Sequence, residues 1–82
     1  MPQTVQYALV VDYLTRLRLE RGLLQSDVAK RLGKGQQFVS RVENKLRRLD
    51  VVEFMAYVKA LDGDPIKAFA EVYAQLPQDL RI

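Results

Sequence analysis

Gln36 and Gln37 stand side by side, and Ser40 and Arg41 follow one helical turn later. A glutamine amide carries an acceptor and two donors in one plane, so it can donate to adenine N7 while accepting from N6. A guanidinium presents a fixed fork of donors suited to guanine O6 and N7, or to a phosphate, and a hydroxyl can serve either partner. Val39 and Val42 fall on the opposite side of the same helix, which turns the polar groups outward. This pattern is suited to reading base edges in the major groove of duplex DNA.

Other chemistries find no purchase. The chain has no Cys and no His, which excludes disulfides, thiolate nucleophiles, imidazole bases and nearly all zinc sites. Asp and Glu are dispersed among helix caps and faces, without a ligand cluster or a phosphate-cradling loop. No enzyme activity, cofactor or metal is therefore expected.

The net charge of +3 is unevenly spread. Residues 28–48 carry Lys30, Arg31, Lys34, Arg41, Lys45, Arg47 and Arg48 against Glu43 alone, whereas residues 1–27 are balanced and residues 49–82 are net acidic. A basic middle between neutral and acidic ends points to a local polyanion contact rather than to a basic tail.

The elements that must position these groups can be read from their punctuation. The first helix runs from about Thr4 to Arg21, with Leu14 and Leu17 facing the core and Gly22 as its stop. The second runs from Gln25 to Leu32, burying Val28, Ala29 and Leu32 before Gly33. Gly35 caps the third, Gln36 to Asn44. Only Gly33, Lys34 and Gly35 separate these two, which makes a tight helix-turn-helix over residues 25–44. The fourth begins at an Asp50–Glu53 capping box, carries an apolar stripe of Val51, Phe54, Met55, Val58 and Leu61, and closes at Gly63. The fifth opens on Asp64–Pro65 and keeps Ile66, Phe69, Ala70, Tyr73 and Leu76 at helical spacing until Pro77. No stretch alternates with period two. An all-α, five-helix domain spanning residues 1–82 is expected.

From Arg18 to Leu61 the sequence resembles the Cro/phage-repressor, or lambda-repressor-like, helix-turn-helix family. The residues that carry the resemblance are Arg18, Gly22-Leu23-Leu24-Gln25, Val28-Ala29, Leu32-Gly33, Gly35-Gln36-Gln37 and Val39-Ser40-Arg41-Val42-Glu43-Asn44. The resemblance implies sequence-specific binding of duplex DNA in transcription regulation, with Gln36, Gln37, Ser40 and Arg41 facing bases. It further implies that Gln25 touches the DNA backbone and braces the first recognition glutamine, and that Arg18 and Glu43 form a partly buried ion pair. Lys34, Asn44, Lys45, Arg47 and Arg48 complete the expected phosphate set, which supplies register and salt-dependent affinity. Three positions depart from the family pattern. Leu24 replaces a Ser or Thr cap, at about 1 kcal/mol. Lys45 replaces a glycine, so Asn44 or Lys45 must take a left-handed backbone, and Lys34 fills a turn position that is often apolar.

At 82 residues, 49% apolar and 28% charged, the chain has the composition of one small globular domain, whose core is small enough for a partner subunit to matter. Phe69, Val72, Tyr73 and Leu76, followed by Leu80 and Ile82, exceed what one core face needs, so a homodimer reading a palindrome is expected. The apolar run Tyr7 to Val11 is too short for a signal or membrane helix, and a disulfide-free chain suits the cytoplasm. A prophage-type repressor, a restriction–modification controller and an antitoxin with a toxin partner all fit this reading. The alternative from another class is a protein-interaction module whose basic helix pair docks an acidic partner.

Overall fold

The computed structural model describes residues 4–81, so Ile82 lies outside the described residues. Five helices follow one another: α1 (Val5–Glu20), α2 (Gln25–Leu32), α3 (Gln36–Glu43), α4 (Val51–Ala60) and α5 (Pro65–Gln75), with no strand among the described residues. The expected boundaries hold to within a residue or two, and the caps show why. Thr4 Oγ1 accepts from the Tyr7 amide at 3.0 Å and starts α1. Asp50 and Glu53 cap α4 reciprocally, at 2.7 and 2.9 Å. Asp64 Oδ1 accepts from the Ile66 amide at 2.9 Å, with Pro65 at the first helical position. Leu24 offers α2 no side-chain cap, but the Asp27 carboxylate accepts from the Leu24 amide at 2.8 Å and restores half of a capping box.

Gly33 takes the left-handed conformation, φ 69°, that ends α2. Gly63 acts otherwise than expected. The left-handed residue after α4 is Asp62, φ 60°, while a Cβ on Gly63 would lie 2.9 Å from Val58 Cγ1. Close approach, not a left-handed stop, requires glycine there.

The core joins Leu14 of α1, Val28 and Ala29 of α2, Val39 and Val42 of α3, Tyr57, Val58, Ala60 and Leu61 at α4, and Ala68 of α5. Leu17, Leu32 and Phe54 pack against it half-buried. Two expected stripes need correction. In α4, Tyr57 takes the position between Phe54 and Leu61 on the core face, which rotates Val51 and Met55 outward to 68% and 43% exposure. In α5, the small Ala68 and the β-branched Val72 face inward, while Ile66, Phe69 and Tyr73 face out. α5 carries two apolar stripes, and the one with smaller side chains fits against the other helices.

Candidate nucleic-acid interface

α3 has one inward and one outward side. Val39 and Val42 are fully buried, and this fixes the rotation of the helix. Gln36 and Gln37 are therefore exposed on its first turn, with Arg41 exposed beyond them and Ser40 half-buried. Gly35 caps the helix and brings no side chain of its own over those first residues.

A chain of polar contacts holds α3 in place. Arg18 Nε and Nη2 donate to the two Glu43 oxygens at 2.5 and 3.0 Å, and Arg18 Nη1 donates to the Leu23 carbonyl at 2.7 Å. This pair is nearly buried, with side-chain exposures of 12% and 9%. The bonded carboxylate favours the charged guanidinium, and the pKa of Arg18 rises accordingly. Glu43 Oε1 also accepts from Gln25 Nε2 at 2.9 Å, and Gln25 Oε1 accepts from Gln36 Nε2 at 3.3 Å. The direction of the chain follows from chemistry. A carboxylate only accepts, so Gln25 turns its nitrogen to Glu43 and leaves its oxygen for Gln36. Gln36 then keeps one N–H and its own oxygen unengaged among the described residues. Gln37 makes no side-chain hydrogen bond among the described residues.

The cations around this helix are less free than the sequence suggested. Lys45 takes the left-handed conformation, φ 62°, as one of its two permitted candidates, and its Nζ donates to Asp12 Oδ1 of α1 at 2.8 Å. Arg47 forms a bidentate pair with Glu53 of α4 at 2.7 and 2.8 Å and also donates to the Arg48 carbonyl. These hydrogen bonds hold the Glu53 carboxyl down at about 2. Arg48 lies over the Tyr7 ring at 4.8 Å, and Asn44 Nδ2 donates to the Ser40 carbonyl and hydroxyl. Lys34 and Arg47 both lie over the Phe38 ring, at 5.6 and 5.0 Å. Phe38 thus organises the basic rim, a role the sequence reading did not give it. Gly35, Gln37, Phe38, Arg41 and Arg47 line one notch there, at the start of α3.

The expected interface residues of the C-terminal part divide three ways. Phe69 and Tyr73 are exposed at 61% and 63%. Val72 is buried in its own domain, because it lies on the inward stripe of α5; it is core and unavailable to a partner. Leu76 has left the helix with extended backbone and, with Leu80, lines a cleft against Tyr7 and Val10 of α1. Sequence reasoning missed the other members of the exposed patch: Phe69 shares an apolar cleft of about 210 Å3 with Val51, Phe54, Met55, Pro65 and Ile66. Their i, i+3 spacing was visible, but which face each helix would turn inward was not.

No helix among the described residues is long and apolar enough to cross a membrane. The helix-turn-helix family model matches residues 14–67. None of the curated proteins matches the chain. Among solved structures, an XRE-family like protein from Pseudomonas syringae pv. tomato str. DC3000 is 39% identical, with 88% of each chain covered and a TM-score of 0.82. The wild-type restriction–modification controller protein C.Esp1396I shares the fold at 21% identity, covering 88% of this chain and 95% of its own, with a TM-score of 0.79. The same values describe that controller as a tetramer in complex with its natural 35 base-pair operator. With a nearly buried Arg18–Glu43 pair behind two exposed glutamines, and a family match over residues 14–67, the chain belongs to the Cro/C1-type helix-turn-helix family of DNA-binding transcription regulators.

Proposed function

We propose that the protein is a homodimeric repressor that reads a palindromic operator through the major groove. Gln36, Gln37, Ser40 and Arg41 contact base edges. Gln25, Lys34, Asn44, Lys45, Arg47 and Arg48 contact the backbone, Gln25 through its main-chain N–H at the start of α2, since its side chain is committed to Glu43 and Gln36. The observation that carries this reading is the exposure of Gln36 and Gln37 on the first turn of a helix whose other face is wholly buried. Gln36 retains one donor and one acceptor side by side, the pair that matches adenine N7 and N6. Bound at a promoter, such a dimer blocks polymerase by occupancy.

Two copies are joined through the α4–α5 patch of Val51, Met55, Ile66, Phe69 and Tyr73. A contiguous apolar surface of this kind on a small domain favours burial against its twin, and a twofold axis makes the patch self-complementary. To read such a palindrome, the dimer must hold its two recognition helices about 34–36 Å apart, one turn of duplex. That a protein of the same fold assembles as a tetramer on an operator supports both halves of the reading.

Selection of bound duplexes from a random pool tests it directly. A single enriched palindrome with half-sites about one turn apart is expected. A pool that remains random after selection, while the protein still captures acidic polypeptides, would replace this reading with the docking of an acidic partner.

A further inference from the structure

Among the described residues, Asp12 and Glu53 are the carboxylates that pair with Lys45 and Arg47, both from outside the helix-turn-helix. Asp12 lies on α1 on one side and Glu53 on α4 on the other. Each closes on a cation of the backbone-contacting set at hydrogen-bond distance: Lys45 at 2.8 Å and Arg47 at 2.7 Å. The fold has little need of the Asp12 pair, and Glu53 shares the capping of α4 with Asp50. α1 and α3 are already joined by the nearly buried Arg18–Glu43 bridge, and the Asp12 side chain, 55% exposed, makes no other hydrogen bond among the described residues. α4 is capped from the Asp50 side chain as well as from Glu53. A single-contact pair as exposed as Lys45–Asp12 adds little to stability. Lys45 moreover sits in a left-handed position where glycine would be more comfortable, so folding alone does not account for a lysine there.

We propose that Asp12 and Glu53 are specificity-determining residues of the DNA complex, each holding one cation, Lys45 or Arg47, on the protein until a correctly registered phosphate displaces it. This rests on the DNA reading above. In a complex registered by base contacts, phosphates stand at fixed points and a charge-assisted bond to phosphate replaces the bond to carboxylate. In an unregistered complex the phosphates are not held there, the exchange is not repaid, and the two carboxylates repel the duplex. The carboxylates therefore lower non-specific affinity more than operator affinity, and the ratio between them rises.

The experiment compares the wild-type protein with Asp12→Asn and Glu53→Gln on the selected operator and on a scrambled duplex, across a salt series. Both substitutions keep side-chain shape, and thermal melts monitor folding. Each variant should bind scrambled DNA about two- to fivefold more tightly, with a smaller gain on the operator, by the energy of one exposed pair. The salt dependence on scrambled DNA should steepen by about 0.9 per freed charge. Unchanged or weaker binding, or equal gains on both duplexes, overturns the inference, since a carboxylate that merely aimed its cation at DNA would weaken binding when neutralised. Asp12 is remote from any cap, so Asp12→Asn decides the matter even if Glu53→Gln destabilises α4. If the wild-type protein binds neither duplex, the DNA reading fails and this inference falls with it; wild-type binding with unresponsive variants overturns the inference alone.

Discussion

Gln36 and Gln37 are neighbours with different degrees of constraint, and this has a measurable consequence. Gln36 is tied through Gln25 to Glu43, so its amide is oriented before any partner arrives; Gln37 is free to choose its rotamer. Gln37→Ala should cost about 1–3 kcal/mol on the selected operator and relax base choice at one position, as read from affinities over a panel of single-base variants. Equal losses on every sequence would remove Gln37 from the readout set. Tyr57 poses the opposite case. Its ring is buried to 1% exposure, and its hydroxyl has no hydrogen-bond partner among the described residues. Burial and the nearby Glu43 charge both push its pKa up, so it stays neutral. A buried hydroxyl with no partner has lost its water without compensation. Tyr57→Phe should therefore raise stability by about 1 kcal/mol in denaturant titrations, and a clear loss would mean that the hydroxyl does find a partner in solution.

The ends of the helices show where local chemistry and function pull apart. Most caps follow ordinary preference: Thr4, Asp50 and Asp64 each accept from the first turn of the helix they start. Lys45 does not. It occupies a left-handed position after α3, held there by its amide donating to the Val42 carbonyl at 3.0 Å and by the Leu46 amide donating to the Arg41 carbonyl at 2.8 Å. Comparing two substitutions isolates the backbone strain, since both remove the Asp12 pair. Lys45→Gly should exceed Lys45→Ala in stability by about 1 kcal/mol, measured by chemical denaturation. Both should weaken duplex binding similarly if the charge is what the position is kept for. Equal stabilities would show that the left-handed backbone carries no strain here.

At the scale of the whole molecule, the chain has two exposed faces of opposite character. The α3 face is polar and basic; the α4–α5 face is apolar, with Ile66 82% and Phe69 61% exposed. An exposed apolar face adds nothing to the stability of an isolated domain, and covering it removes that surface from water. Phe69→Glu should leave the helical content unchanged and convert the proposed dimer to a monomer in analytical ultracentrifugation, with the loss of operator affinity that the proposed half-site arrangement implies. A variant that stays dimeric would move the twofold contact elsewhere.

Much of this was written in the order of residues. Capping residues, the three-residue turn from Gly33 to Gly35 and the apolar spacing of Val28, Ala29, Val39 and Val42 define the helix-turn-helix, because each acts through neighbours within a turn or two of chain. The outward direction of Gln36 and Gln37 follows from the same periodicity, and the Arg18–Glu43 pair came with the family resemblance. Tertiary packing decided the rest. Which stripe of α4 and α5 turned inward depended on which side chains fitted the space left by the other helices, so Tyr57 and Val72 went in while Met55, Phe69 and Tyr73 stayed out. The partners of Lys45 and Arg47 were equally a matter of packing. A charge's partner is chosen by distance in space, and only the folded chain brings Asp12 to Lys45, 33 positions away.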